Sequence, residues 1–204
     1  MANANGAVTL TMTTSDLGNT GTGGTLTDSD SRTINVTSPS NVALTTATND
    51  AVFFSTGTNF VTGTTTTLNG TDSLTGGSGT DTLTVTDGSL GPFTFGTGNI
   101  AMTGFEVLKL VDTNGGNHSD NLTFLASFNN GGTLIVDGSG IGGNGKLIMD
   151  ASATSNAFNV IGGNSDDTIS LGAGVDVING GNGDDRVTGG GGADTLTGDR
   201  KSVV

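Results

Sequence analysis

The apolar residues of this chain fall in short alternating runs, and no window holds the 3.6-residue rhythm of a long helix. Segments 7–12, 32–37, 42–46 and 51–55 alternate apolar with polar residues and read as strands. Further strand-like runs occupy 82–86, 106–111, 121–125, 133–136, 146–149 and 157–161. Clusters of Gly, Asn and Asp separate them, which is turn chemistry. From 106 onward the runs start every 11 to 15 residues, and from 162 the period tightens to nine.

Four nonapeptides follow without a break: 162–170 (GGNSDDTIS), 171–179 (LGAGVDVIN), 180–188 (GGNGDDRVT) and 189–197 (GGGGADTLT). Their sixth places hold Asp167, Asp176, Asp185 and Asp194, and their eighth places Ile169, Ile178, Val187 and Leu196. Upstream, 67–75 (TLNGTDSLT) and 76–84 (GGSGTDTLT) put Asp72 and Asp81 at the sixth place. Successive glycines let six residues curl into a tight loop. The last three form a short strand that sends the eighth residue inward and the seventh outward. Two nonapeptides then make one coil of a parallel solenoid, with loops on both edges.

Composition sharpens this reading. The 204 residues include 37 Gly and only 32% apolar residues, so the core is expected to be one thin ladder of small aliphatics. With no Cys there is no disulfide scaffold, thiol catalysis or Cys-type zinc site. The formal charge of −13 argues against nucleic acid and anionic membranes as partners. No apolar run reaches the roughly 18 residues of a membrane span. Glu106 is the only glutamate; every other acid is Asp, the residue of turns and cation loops. Loops that turn carbonyl oxygens inward and add an Asp carboxylate suit Ca²⁺, which takes 6–8 oxygens.

The nonapeptides resemble the GGxGxDxUx repeat of RTX, or haemolysin-type calcium-binding, proteins. Ser165 and Leu171-Gly172 depart from the pattern in the main run, and Thr67-Leu68 does so upstream, but each sixth-place Asp is kept. Segments 104–110 and 150–153 are similar to the β-solenoid portions of bacterial surface-layer and adhesin-type RTX proteins. The resemblance implies calcium between loops one full coil apart, pairing Asp167 with Asp185 and Asp176 with Asp194. The expected oxygen donors are Gly162, Asn164, Asp166 and Asp167; Gly172, Gly174 and Asp176; Gly180, Asn182, Asp184 and Asp185; and Gly189, Gly191 and Asp194. About two complete sites are expected, given the 6–8-oxygen demand of the ion. Asp72 and Asp81 should lie on opposite edges, and no complete upstream site is expected, because 85–93 puts Leu90 where Asp would be needed.

Motifs for other chemistries fail in their context. G-x-G-x-x-G at 138–143 would need a helix next to hold a pyrophosphate, and 144–149 reads as turn and strand. His118, the only histidine, has no G-x-S-x-G or H-E-x-x-H around it and reads as an exposed loop residue. The acidic pairs Asp166/Asp167 and Asp184/Asp185 share one repeat phase, which favours metal loops over glycosidase carboxylates. Regular rows of Thr for ice binding are not kept at the outward seventh and ninth places.

The expected fold is all-β, a parallel β-solenoid ending in a calcium-binding β-roll. Its parts are a Thr/Gly-rich β segment at 1–66, an irregular solenoid at 67–160, the β-roll at 161–197 and a truncated repeat at 198–204. The tail from Asp199 breaks the pattern and reads as a translated sequencing adapter, making the chain a piece of a longer one. The expected function is calcium-dependent folding within a secreted bacterial structural or adhesive protein, not an enzyme. The alternative is the non-catalytic repeat region of a secreted RTX hydrolase. The N-terminus lacks the basic start and apolar core of a secretory signal, so either the protein stays inside, or it leaves by a route that reads no N-terminal signal, or the sequence is incomplete. The resemblance implies type I secretion and an extracellular or cell-surface location. The expected partners are calcium ions, and beyond them cell-surface polysaccharide or other copies of the protein.

Overall fold

The structure, a computed structural model, describes residues 3–15, 27–36, 40–46, 49–87, 92–113, 115 and 119–198. His118, Leu90 and the tail from Asp199 lie outside the described residues. Among those described there is no helix, hence none long and apolar enough to cross a membrane.

The first strands, β1 (Asn3–Ser15) and β2 (Thr27–Val36), pair antiparallel. The start of β1 also lies parallel to β4 (Ala51–Phe54) through Asn3–Asn5. Every other pairing is parallel, and together these make a coil with one continuous wall. That wall is an eight-stranded sheet of β3 (Ser40–Ala43), β5 (Asn59–Gly63), β7 (Asp81–Asp87), β10 (Val107–Asp112), β12 (Leu134–Gly140), β14 (Phe158–Ile161), β16 (Val177–Asn179) and β18 (Thr195–Thr197). The parallel ladder runs on both sides of residue 67, where the sequence shifts from Thr-rich to nonapeptide.

The opposite wall changes partway. β4, β6 (Ser73–Thr75) and β9 (Ala101–Thr103) form its first part. β8 (Phe93–Phe95), β11 (Ser119–Phe124), β13 (Lys146–Asp150), β15 (Thr168–Ser170) and β17 (Arg186–Thr188) form the second. The coil between β7 and β10 carries both β8 and β9, so it ends the first part and begins the second.

Alternation decides what fills the coil. In-register residues stack as Val42, Val61, Leu83, Leu108, Val136, Val160, Ile178 and Leu196 along the long wall. Facing them are Phe93, Leu122, Met149, Ile169 and Val187. Ile169, Ile178 and Val187 are buried, as the eighth repeat place requires, while Val177 at the seventh is 45% exposed. Coil length falls from 28 residues, with Val107 opposite Ile135, through 24, with Ile135 opposite Asn159, to 18, with Val177 opposite Thr195. The longer coils enclose a wider section, and Phe95, Phe124, Phe128 and Phe158 fill it. Phe124 sits 4.9 Å from Phe95 and 5.0 Å from Phe158 between ring centroids, in the range where aromatic pairs attract. The glycine cluster 138–143 leads from β12 through a turn into β13, so no phosphate-binding helix follows it.

Candidate metal centre

Two columns of residues stand at the entrances to the strands, one on each edge of the coil. On the edge leading into the long wall, the in-register residues are Asn59, Asp81, Glu106, Leu134, Phe158, Asp176 and Asp194. On the other edge, leading into the second facing sheet, they are Asp120, Leu147, Asp167 and Asp185. Asp72, before β6, lies on the opposite edge from Asp81, before β7.

Each repeat Asp binds backwards along the coil axis. Asp167 Oδ1 accepts from the Leu147 amide at 2.7 Å, and Asp185 Oδ1 from the Asp167 amide at 3.0 Å. Asp176 Oδ1 accepts from the Phe158 amide at 2.8 Å, and Asp194 Oδ1 from the Asp176 amide at 3.0 Å. The pairs Asp167/Asp185 and Asp176/Asp194 are therefore neighbours across one 18-residue coil. Neighbouring parallel strands lie about 4.8 Å apart, so unneutralised carboxylates stacked this way repel.

In Asp167, Asp185 and Asp194 the second carboxylate oxygen faces the aspartate's own loop. A Cβ built on Gly162, Gly180 or Gly189 would run into Oδ2 of Asp167, Asp185 or Asp194, so the first-place glycine leaves that oxygen open to the loop. Gly181, Gly183, Gly190 and Gly192 all have positive φ, between 88° and 133°, which is how the second and fourth places turn the loop. Asp167 Oδ2 accepts from the Gly163 amide at 2.6 Å. Asp176 Oδ2 is buried with no hydrogen-bond partner among the described residues. A buried, unpartnered carboxylate oxygen is costly unless a cation or proton meets it.

The titration behaviour follows from this packing. Burial pushes Asp167 up to about 6, with the Asp185 charge adding to the rise and the amide hydrogen bonds opposing it. Asp176 is raised by burial and then by Asp194. Asp166 behaves oppositely: its carboxylate is exposed, accepts from the Asp184 amide at 2.9 Å and pairs with Lys146 at 3.5 Å, and it is held below the usual range.

The donors expected from the sequence therefore divide. Asp167, Asp176, Asp185 and the half-buried Asp194 face inward, with Gly162, Gly172, Gly174, Gly180 and Gly189 buried beside them. Asp166, Asp184, Asn164, Asn182 and Gly191 lie on the outer surface, where Asn182 Nδ2 donates to Asn164 Oδ1 at 3.0 Å. Among the described residues no three His, Cys, Asp or Glu side chains converge to hold a metal unaided. A cation here would be held by carboxylates one coil apart together with loop carbonyls. That donor set is all hard oxygen, and it fits Ca²⁺.

A family model of the RTX calcium-binding nonapeptide repeat matches residues 66–89 and 160–199, in four copies. The chain carries RTX calcium-binding repeats. No curated protein and no solved structure matches it. The RTX repeats account for the C-terminal coils and for one stretch upstream, and leave the coils between them to another device. There the column holds Leu134 and Phe158, and carboxamides bridge the loops. Asn130 Oδ1 accepts from the Phe105 amide at 3.2 Å, Asn130 Nδ2 donates to the Phe105 carbonyl, and the Asn130 amide donates to Asn156 Oδ1 at 3.0 Å. A carboxamide brings its own donor and acceptor, so such a stack needs no ion. The sequence reading missed both asparagines, which the clusters Asn129-Asn130-Gly131-Gly132 and Ser155-Asn156 carry without a repeat phase.

Proposed function

We propose that 162–197 is a calcium-dependent folding and stiffening module of a secreted bacterial structural or adhesive protein. The observation that carries this is Asp176: fully buried, with one oxygen committed to the coil before it, the other unpartnered, and Asp194 directly beyond. When bound, Ca²⁺ supplies the positive charge that two stacked carboxylates and their loop carbonyls require. The residues do the rest. Inward aspartates set the loop spacing, first-place glycines keep the oxygens of Asp167, Asp185 and Asp194 open, and eighth-place aliphatics close the core beneath.

Without the cation, seven Asp between 162 and 199 share that stretch with Arg186 as its only basic residue, and Lys146 reaches only the outer Asp166 from the coil before. Ordering a Gly-rich backbone also costs roughly 1–2 kcal/mol per residue. Extracellular calcium modules bind at about 10⁻⁴–10⁻³ M. The module would therefore remain open in the cytosol, compatible with export, and close outside. Support for a structural role comes from the unbroken eight-stranded wall, which would carry stiffening at the calcium end along the whole coil.

Thermal unfolding of the full chain, followed by circular dichroism with and without millimolar calcium, tests the reading. A distinct transition that calcium moves upward is expected. Identical melts in both conditions would remove it. Sequencing across both ends of the reading frame tests the structural role. Further coils or adhesive repeats would support it, and H-E-x-x-H or G-x-S-x-G would instead make these coils the non-catalytic part of a hydrolase.

A further inference from the structure

The sequence led us to expect no complete site upstream, on the premise of 18-residue coils, in which 85–93 lies one coil beyond the loop of Asp72 and puts Leu90 where Asp would be needed. The structure overturns that premise. β7 and β8 occupy that stretch on different walls, and the in-register neighbour of Asp81 is Glu106. The coil here is 25 residues long rather than 18.

The local arrangement repeats that of the main run. In the run, a Cβ on Gly162 would collide with both the Gly180 carbonyl oxygen and Asp167 Oδ2, so these two oxygens converge on one point. Upstream, a Cβ on Gly76 would collide with both the Gly104 carbonyl oxygen and Asp81 Oδ2. Asp185 Oδ1 accepts from the Asp167 amide at 3.0 Å, and Glu106 Oε2 accepts from the Asp81 amide at 2.6 Å. Gly76, Asp81, Gly104 and Glu106 thus stand where Gly162, Asp167, Gly180 and Asp185 stand. One difference explains the glutamate. Asp185 stands five positions after Gly180, but Glu106 only two after Gly104. The shortened loop sets its carboxylate further back, and the extra methylene restores the reach.

A second observation points to a ligand. Asp81 is fully buried, and its Oδ1 is taken by Asn59 Nδ2 at 2.6 Å. Its Oδ2 has no hydrogen-bond partner among the described residues and faces the loop of Gly76, Gly77 and Gly79. The latter two glycines have φ of 92° and 125°, matching Gly181 and Gly183 at 93° and 123°. The column is neutral on either side, with Asn59 before and Leu134 after, and the Asn130 carboxamide holds the Phe105 backbone beside it, so two acidic side chains stand between neutral ones.

We propose that Asp81 and Glu106, with carbonyls of the 76–80 loop and of Gly104, form a third calcium site that joins an RTX loop to a non-repeat coil. The proposal rests on the reading of the main run only for the identity of the cation. It places calcium dependence on both sides of the ion-free asparagine stack, and not at the C-terminal end alone.

Native mass spectrometry of the full chain over a calcium titration, with thermal melts to confirm folding, tests it. About three ions are expected on the wild type, given two in the main run and one upstream at 6–8 oxygens each. Glu106→Gln keeps an acceptor for the Asp81 amide and should lose one ion. A variant carrying Asp167→Asn, Asp176→Asn, Asp185→Asn and Asp194→Asn should keep one ion, and adding Glu106→Gln should remove it. Glu106→Asp should weaken that ion, because the arm is too short for the loop. Two ions on the wild type and none on the fourfold variant would overturn this site while leaving the main run intact. Glu106→Gln retaining every ion would also overturn it. A wild type that binds nothing would overturn both readings.

Discussion

The amide of Asp176 donates to Asp194 Oδ1 across one coil, with the same 18-residue offset and 3.0 Å distance as the amide of Asp167 to Asp185 Oδ1. The two pairs lie on opposite edges of the coil, so each edge carries its own carboxylate pair.

Independent edges imply independent ions. Asp185→Ala should remove about one calcium ion, since each 6–8-oxygen site draws on two loops. The Asp176/Asp194 pair should continue to bind. Calorimetric stoichiometry checks this. Loss of all binding with the strands intact would show that the edges are not separate.

Strand phase gives a second expectation. Ile178 is fully buried between Val160 and Leu196, whereas its neighbour Val177 is 45% exposed. Ile178→Asp should destabilise the calcium-bound chain by several kcal/mol, the cost of burying an unpaired carboxylate. Val177→Asp should cost far less. Chemical denaturation in saturating calcium separates them, and equal losses would refute the phase.

Backbone sign gives a third. Gly183 has a φ of 123°, and a Cβ there would strike the backbone of Ser165 and Asp166. For Gly191 the nearest atom to a Cβ is Ala173 Cα at 3.9 Å, an ordinary contact. Gly183→Ala should therefore lower stability by more than about 1 kcal/mol, and Gly191→Ala should leave it nearly unchanged. Calcium-dependent melting temperatures of the two variants decide the point, and similar shifts would count against the loop geometry.

Protonation supplies a fourth. Burial raises Asp167 to about 6 from an ordinary 3.8, and raises Asp72, Asp81 and Asp176 as well. A carboxyl raised on folding contributes stability that is fully present below its unfolded value and lost as pH climbs through its folded value. The calcium-stripped chain should thus be more stable near pH 4 than at pH 7. Calcium binding should run the other way, because protons compete for the same oxygens. Melting of calcium-stripped protein across this range tests the sign, and higher stability at pH 7 would contradict it.

Much of the fold could be read from residue order because RTX loops repeat their chemistry. Asp at the sixth place and an aliphatic at the eighth fix phase, edge and inward direction, and Ile169, Ile178 and Val187 are buried accordingly. Strands outside the run were legible where alternation was long enough, as at Val107–Asp112. Phe93–Phe95 and Ala101–Thr103 were not, since three residues carry too little alternation and only their neighbours define them. The role of Glu106 was hidden for a different reason. Its partner is fixed by a 25-residue coil, and no fixed sequence period reports the length of an irregular loop. Asp166 reads as a ligand beside Asp167 in the sequence because the fifth place lies in the loop, where strand alternation does not set the direction of a side chain, and the structure leaves it on the outer surface.

The central claim is that the RTX coils close only around calcium. Amide hydrogen exchange on the full chain, with calcium and then in excess chelator, tests it most directly. Inter-coil amides such as Asp167, Leu171, Asp176, Arg186 and Thr195 donate to oxygens one coil away. The account expects these amides to be protected with calcium and to exchange freely without it, while Asn130 stays protected in both conditions. Equal protection of the 162–197 amides in chelator would contradict it.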